Sequence, residues 1–131
     1  TVSSAASDVY KRQYETRASS IPWNFSPVLD LGLDPRFPRQ FETFGEDPLL
    51  VERFGVEMIK GYQGFDNNVS NKHKVAACMK HFVGYHATIS GKDRTPAYIP
   101  DNVLSEYHIE SFKKAIEAGA KTVMINTGLI N

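Results

Sequence analysis

The chain has 131 residues, 41% hydrophobic and 23% charged, with Lys+Arg 15 against Asp+Glu 15. Zero net charge gives no electrostatic reason to expect a nucleic acid or an anionic membrane as partner, and no apolar run approaches the roughly 20 residues of a membrane span. The single cysteine, Cys78, has no partner for an internal disulfide and so does not report a compartment.

The first segment stands apart. Ser3 to Gln13 reads SSAASDVYKRQ, the string that a transposase-derived sequencing adaptor gives when translated, and it has no hydrophobic period. Residues 1–13 are therefore expected to be an adaptor-derived, disordered piece that stays outside fold reasoning. Residues 14–131 form the domain to be read. The natural N-terminus is then expected to be missing, so the lack of a signal peptide carries no information.

From Tyr14 the pattern alternates. Ile21 to Leu31, IPWNFSPVLDL, is apolar between turn formers and predicts a buried strand. A long loop, residues 32–46, follows. Asp47-Pro48 predicts a helix start, because Asp caps free amides and Pro suits the first helical position. Leu50, Val51, Phe54 and Met58 then recur at helical spacing to about Gly61. Val75 to Val83, VAACMKHFV, is nearly all apolar, as in a parallel strand covered on both faces. After a loop over residues 85–100, Asp101 is expected to cap a second helix with the stripe Leu104, Tyr107, His108, Phe112, Ala115 and Ile116, ended by Gly119. Thr122 to Asn126, TVMIN, predicts a third strand. The order strand, helix, strand, helix, strand predicts a parallel α/β sheet. A full eight-stranded barrel needs about 250 residues, so the expected architecture is a partial TIM-like (β/α)8 barrel with about three strands and two main helices.

In such barrels function sits on loops at the carboxyl ends of the strands. That rule selects the loop after Leu31, the end of VAACMKHFV and the segment after TVMIN. Lys80 beside His81 at a strand end suits a clamp on hydroxyl groups, since Lys donates with a full charge and His donates or accepts. Structural readings stand beside this one: Arg39 as a loop partner of Glu42 or Glu46, Lys80 reaching solvent, His81 as a satisfied core histidine. Neighbours on a regular strand face opposite sides. If Lys80 and His81 reach one ligand, the strand must be irregular there, through a bulge or a non-proline cis peptide near residues 80–82. Asp34-Pro35 reads as turn chemistry, Asp30 as a strand-end hydrogen-bonder, and Glu42 and Glu46 as partners of Arg36 and Arg39. Trp23 is expected to pack in the core or at the rim. His73, His81 and His86 lack coherent ligand spacing, so no metal is expected.

WNFSPVLDL, DPRFPRQFETFGEDP, VAACMKHFVGY, SGKDRTPAYIP and GAKTVMIN occur in this order. With that order and spacing, residues 14–131 resemble the N-terminal barrel of bacterial glycoside hydrolase family 3 enzymes. The resemblance implies a TIM-like barrel followed by an α/β sandwich domain. It implies removal of terminal non-reducing sugars, often β-glucose, with retention, which needs two carboxyl groups about 5–5.5 Å apart. By the same resemblance the nucleophilic Asp lies beyond Asn131 and the acid/base in the second domain. No catalytic residue is therefore expected in this chain, and the fragment alone is expected to be inactive. Arg39, Lys80 and His81 match the family's contacts to sugar hydroxyls. The implied partner is a glucoside or oligosaccharide, together with the rest of the barrel and the second domain; no cofactor or metal is implied. A periplasmic or secreted bacterial location is suggested by the family.

Two departures matter. The loop after the KHF motif has no Asp-x-His pair, which argues against the N-acetylglucosamine-cleaving type. Asn126 and Thr127 stand where many members have a Tyr. Two other readings stay open: a non-hydrolytic or phosphorolytic sugar-binding relative, and an aldolase-like barrel with Lys80 as Schiff-base nucleophile.

Overall fold

The computed structural model describes residues 2–131. Its elements in chain order are helix α1 (Val2–Ala18), strand β1 (Trp23–Asn24), a 3-10 turn (Gln40–Glu42), helix α2 (Pro48–Gln63), strand β2 (Ala76–Phe82), helix α3 (Asp101–Val103), a π-helical stretch (Leu104–Ile109), helix α4 (Glu110–Glu117) and strand β3 (Thr122–Ile125). The three strands form one parallel sheet in the order β1-β2-β3. This is the α/β, partial TIM-like arrangement the sequence predicts.

The core lies between the sheet and its helices. Leu29, Leu31, Val51, Met58, Ile59, Tyr62, Ala77, Met79, Phe112 and Ala115 bury together. Asp47 caps α2 through its side chain, which accepts from Leu49 N at 2.8 Å, with Pro48 opening the helix. The helix runs past Gly61 to Gln63 and stops at Gly64, whose φ of 76° suits a residue without Cβ.

Residues 2–13, expected to be disordered, are helical. The sequence carries no apolar stripe here because only Val9 and Gln13 among residues 7–13 are buried, four apart and hence on one face. Val9 seats on Gly61, where an added Cβ would come within 2.5 Å of Val9 Cγ1. A second correction concerns residues 21–31. Only Trp23 and Asn24 pair as a strand, with Ala76 and Ala77, and Val28 makes an isolated bridge to Lys80. The Ser26-Pro27 peptide is cis, and Pro has no N–H to give a ladder. The third concerns the second helix. Asp101 lies inside it and Pro100 precedes it with no side-chain cap, and its middle is π-helical, with His108 buried.

Candidate functional site

The carboxyl end of β2 departs from a regular ladder. Lys80 pairs with Met124 and Phe82 with Ile125, so the register slips between them, and the Lys80-His81 and Phe82-Val83 peptides are cis. The irregularity expected at residues 80–82 is present.

Arg39 and Lys80 meet on one carboxylate, Glu42, and His81 joins them through Arg39. Arg39 precedes the 3-10 turn and grips Glu42 with two parallel bonds, Nε to Oε1 at 2.5 Å and Nη2 to Oε2 at 2.7 Å. Lys80 Nζ reaches Oε2 of the same Glu42 at 3.6 Å. Arg39 Nη1 lies 3.3 Å from His81 Nε2 and 3.4 Å from the Tyr85 hydroxyl. The fork geometry is one an arginine supplies and a lysine does not. The Arg39 hydrogen bonds hold the Glu42 carboxyl below the usual carboxylate range, against the opposing effect of burial. Behind them Asp30 Oδ2 accepts from the His81 backbone N–H at 2.9 Å and lies 2.8 Å from His81 Nδ1. Asp30 is thus a hydrogen-bonder, as read.

A cavity of about 180 Å³ opens here, lined by Arg39, His81, Tyr85, Arg94, Met124, Ile125, Asn126 and Thr127. Arg39, His81, Tyr85, Arg94 and Asn126 bring polar groups to this one small cavity. Asn126 and Thr127 do form part of its wall. Tyr85 and Arg94 were not among the predicted site residues. Tyr85 donates to Asp93 and stacks under the Arg39 guanidinium at 5.5 Å. Their signal was the motif stretch from VGY to KDR, which the local pattern marks only as loop.

Other expectations sort out around this centre. Asp34 makes its turn, accepting from Arg36 N at 2.8 Å and pairing with the Arg36 guanidinium at 2.7 Å. Arg36 therefore pairs with Asp34 and not with Glu46. Trp23 is a rim residue, 47% exposed, edge-on to Phe25 and bonded through Nε1 to Thr122 Oγ1. His73 stacks on Tyr14, far from the site in its contacts.

Asp30, His81 and His86 place candidate ligand atoms within 4.8 Å of one another. A metal on His81 Nδ1 would force the proton onto Nε2, opposite the Arg39 N–H, so the donor set does not fit a cation without moving Arg39. His86 is 1% exposed and rests on Phe37 with centroids 4.3 Å apart; its two ring nitrogens have no hydrogen-bond partner among the described residues, and Nε2 lies 3.8 Å from Asp30 Oδ2. Burial, partly opposed by Asp30, pushes the proton affinity of His86 down, and burial does the same to His108. The unfolded chain then takes up protons near pH 6.5 that the folded chain refuses. Stability from these groups is full above that pH and falls on acidification, by up to about 1.4 kcal/mol per pH unit for each. Urea midpoints should drop between pH 7 and pH 5, and His86→Phe should flatten the slope. Equal slopes in the two proteins would show that His86 stays solvated.

Three parallel strands with a cationic and imidazole cluster at their carboxyl end define part of an α/β barrel. The chain is more particular than that: residues 4–128 match the family model described as glycosyl hydrolase family 3 N terminal domain, and the chain belongs to that family. The match begins inside the segment read as adaptor. The lysosomal beta glucosidase of Dictyostelium discoideum is 44% identical over 121 residues, covering 89% of this chain and 15% of that protein. A beta-xylosidase of Formosa agariphila is 38% identical over 112 residues, covering 84% of this chain and 16% of that protein. The beta-glucosidase of Listeria innocua superposes with a TM-score of 0.91 at 32% identity, covering 99% of this chain and 18% of that one. Crystal structures of it exist with laminaribiose, for the D270A mutant, and with gluconolactone. This chain spans about one sixth of the length of the two relatives.

Proposed function

We propose that this segment forms the glycone-holding rim of a β-glucosidase-type enzyme that hydrolyses terminal non-reducing β-D-glucosyl residues with retention. The observation that supports the reading is the cluster in which Arg39 and Lys80 converge on Glu42 and His81 meets Arg39, beside a small cavity. Arg39 and Lys80 donate to hydroxyls with full charge, Glu42 accepts, and His81 Nε2 pairs with a hydroxyl as its tautomer allows. Four groups of fixed direction orient a pyranose and hold it for carboxylates supplied elsewhere. The attacking and proton-donating carboxylates are expected beyond Asn131. Lys80 has a carboxylate at 3.6 Å, whereas a Schiff-base lysine needs apolar or cationic surroundings, so the aldolase-like reading loses ground. On the family resemblance alone, we propose a bacterial periplasmic or secreted location.

The test is the fate of the anomeric centre. The full gene product should release β-glucose first from a β-glucoside in water, followed by NMR before mutarotation. Release of α-glucose first would sink retention. Turnover only with inorganic phosphate, giving glucose 1-phosphate, would replace hydrolysis by the phosphorolytic alternative.

A further inference from the structure

Asp30 is buried to 2% exposure on the segment that runs beside β2, where Leu29 N donates to Lys80 O at 2.6 Å. One oxygen, Oδ2, faces both the backbone N–H and the Nδ1 of His81, at 2.9 and 2.8 Å. On the far side of the imidazole, Nε2 faces Arg39 Nη1 at 3.3 Å. An ionised carboxylate only accepts, and a guanidinium only donates. Each neighbour dictates the same ring state: the proton on Nδ1, a lone pair on Nε2. The opposite tautomer would set two acceptors against each other on one side and two donors on the other.

We propose that Asp30 is a positioning residue for sugar recognition: it fixes His81 as a hydrogen-bond acceptor at Nε2, whose lone pair Arg39 Nη1 faces in the free site at 3.3 Å and a sugar hydroxyl takes once Arg39 turns to the ligand. This deepens the glucosidase reading and rests on it. Lys80 and Arg39 only donate, and once Arg39 turns to the ligand Asp30 alone holds the ring state, so without Asp30 the pocket edge near His81 would pair with a hydroxyl in either sense. With it, one glucose hydroxyl must act as donor, and a substituent that only accepts is rejected there. Fluorine in place of that hydroxyl is such a substituent.

The experiment has two arms on the full gene product. The first reads the ring nitrogens by NMR in protein labelled with 15N-histidine, the His81 signals being those lost in His81→Asn, with no sugar present. Wild type and Asp30→Asn, which keeps an acceptor oxygen, should show a protonated Nδ1 and a bare Nε2. Asp30→Ala should show mixed tautomers, because the 3.3 Å contact to Arg39 that remains is the longer and weaker of the two, against the 2.8 Å contact that is lost. A protonated Nε2 in the wild type, or an unchanged single tautomer in a folded Asp30→Ala, overturns the proposal. If Asp30→Ala does not fold, the wild-type spectrum still decides.

The second arm measures binding of gluconolactone and of monodeoxyfluoro glucosides. One fluoro analogue should bind the wild type about tenfold more weakly than its hydroxyl parent, and Asp30→Ala should shrink that ratio to about two, through KM more than kcat. Equal ratios in the two proteins overturn the proposal. The expected tautomer in a protein with no affinity for gluconolactone overturns the saccharide reading instead, and with it this role of Asp30.

Discussion

Arg39→Ala is expected to lower kcat/KM toward a β-glucoside by about 100-fold, the largest kinetic loss of any single change at this site. Two effects add. A charge-assisted contact to a sugar hydroxyl is worth about 1.5–3 kcal/mol, and each 1.4 kcal/mol is a factor of ten. Arg39 also neutralises Glu42 through its two short bonds and faces His81 and Tyr85. With the arginine gone, Lys80 at 3.6 Å is left as the cation for Glu42 and is drawn away from the ligand. Arg39→Lys should recover little, since a point charge cannot make the fork. Glu42→Gln should cost less, near tenfold, and the double variant should fall short of the product of the two, because both act through one pair. Steady-state kinetics on the wild type and the four variants checks this. A loss under threefold for Arg39→Ala, or strict multiplicativity, would show that Arg39 is a loop brace and not part of the site.

How far the sequence carried is clear from individual residues. Helix α2 was legible because Asp47-Pro48 and Leu50, Val51, Phe54, Met58 act through local geometry, within a turn or two of chain. Strand β2 was legible because burial on both faces leaves an apolar run. Arg39, Lys80 and His81 were legible through the order of five motifs, and their convergence follows from where parallel strands end. What failed was set by distant partners. Ile21–Leu31 is apolar like a strand, yet a proline at residue 27 removes a donor in the middle of it. Helix α1 hides because, among its residues 7–18, the buried positions are Val9 and Gln13, the latter polar. Tyr85 meets Arg39 across 46 positions, and no periodicity encodes such a pair. Asp30 could be read as a hydrogen-bonder, but not that both its contacts go to one histidine 51 positions on.

Gln63→Met should destabilise the protein by about 3–5 kcal/mol without touching the site. Gln63 is fully buried at the end of α2 and makes four hydrogen bonds. Its Oε1 accepts from Ala77 N at 3.0 Å and Lys121 N at 3.3 Å, and its Nε2 donates to Asn67 Oδ1 at 2.9 Å and Gly119 O at 2.7 Å. One side chain thus ties the C-terminus of α2 to the start of β2, to the turn after α4 and to the entry of β3. Met keeps the length and volume, so packing is nearly conserved. It leaves the buried Ala77 N–H and the Gly119 carbonyl without partners, each at about 1–3 kcal/mol. At about 2–4 °C per kcal/mol, thermal melting of the full gene product should fall by roughly 10 °C. Gln63→Glu should do no better, because it keeps an acceptor for Ala77 but loses both donors and buries a charge. Activity at 25 °C should stay near normal in the folded fraction, since these bonds lie at the amino ends of the strands and the sugar rim at the carboxyl ends. A midpoint within 2 °C of wild type would mean that water replaces the amide at no cost, and that the strand entries are held by packing alone.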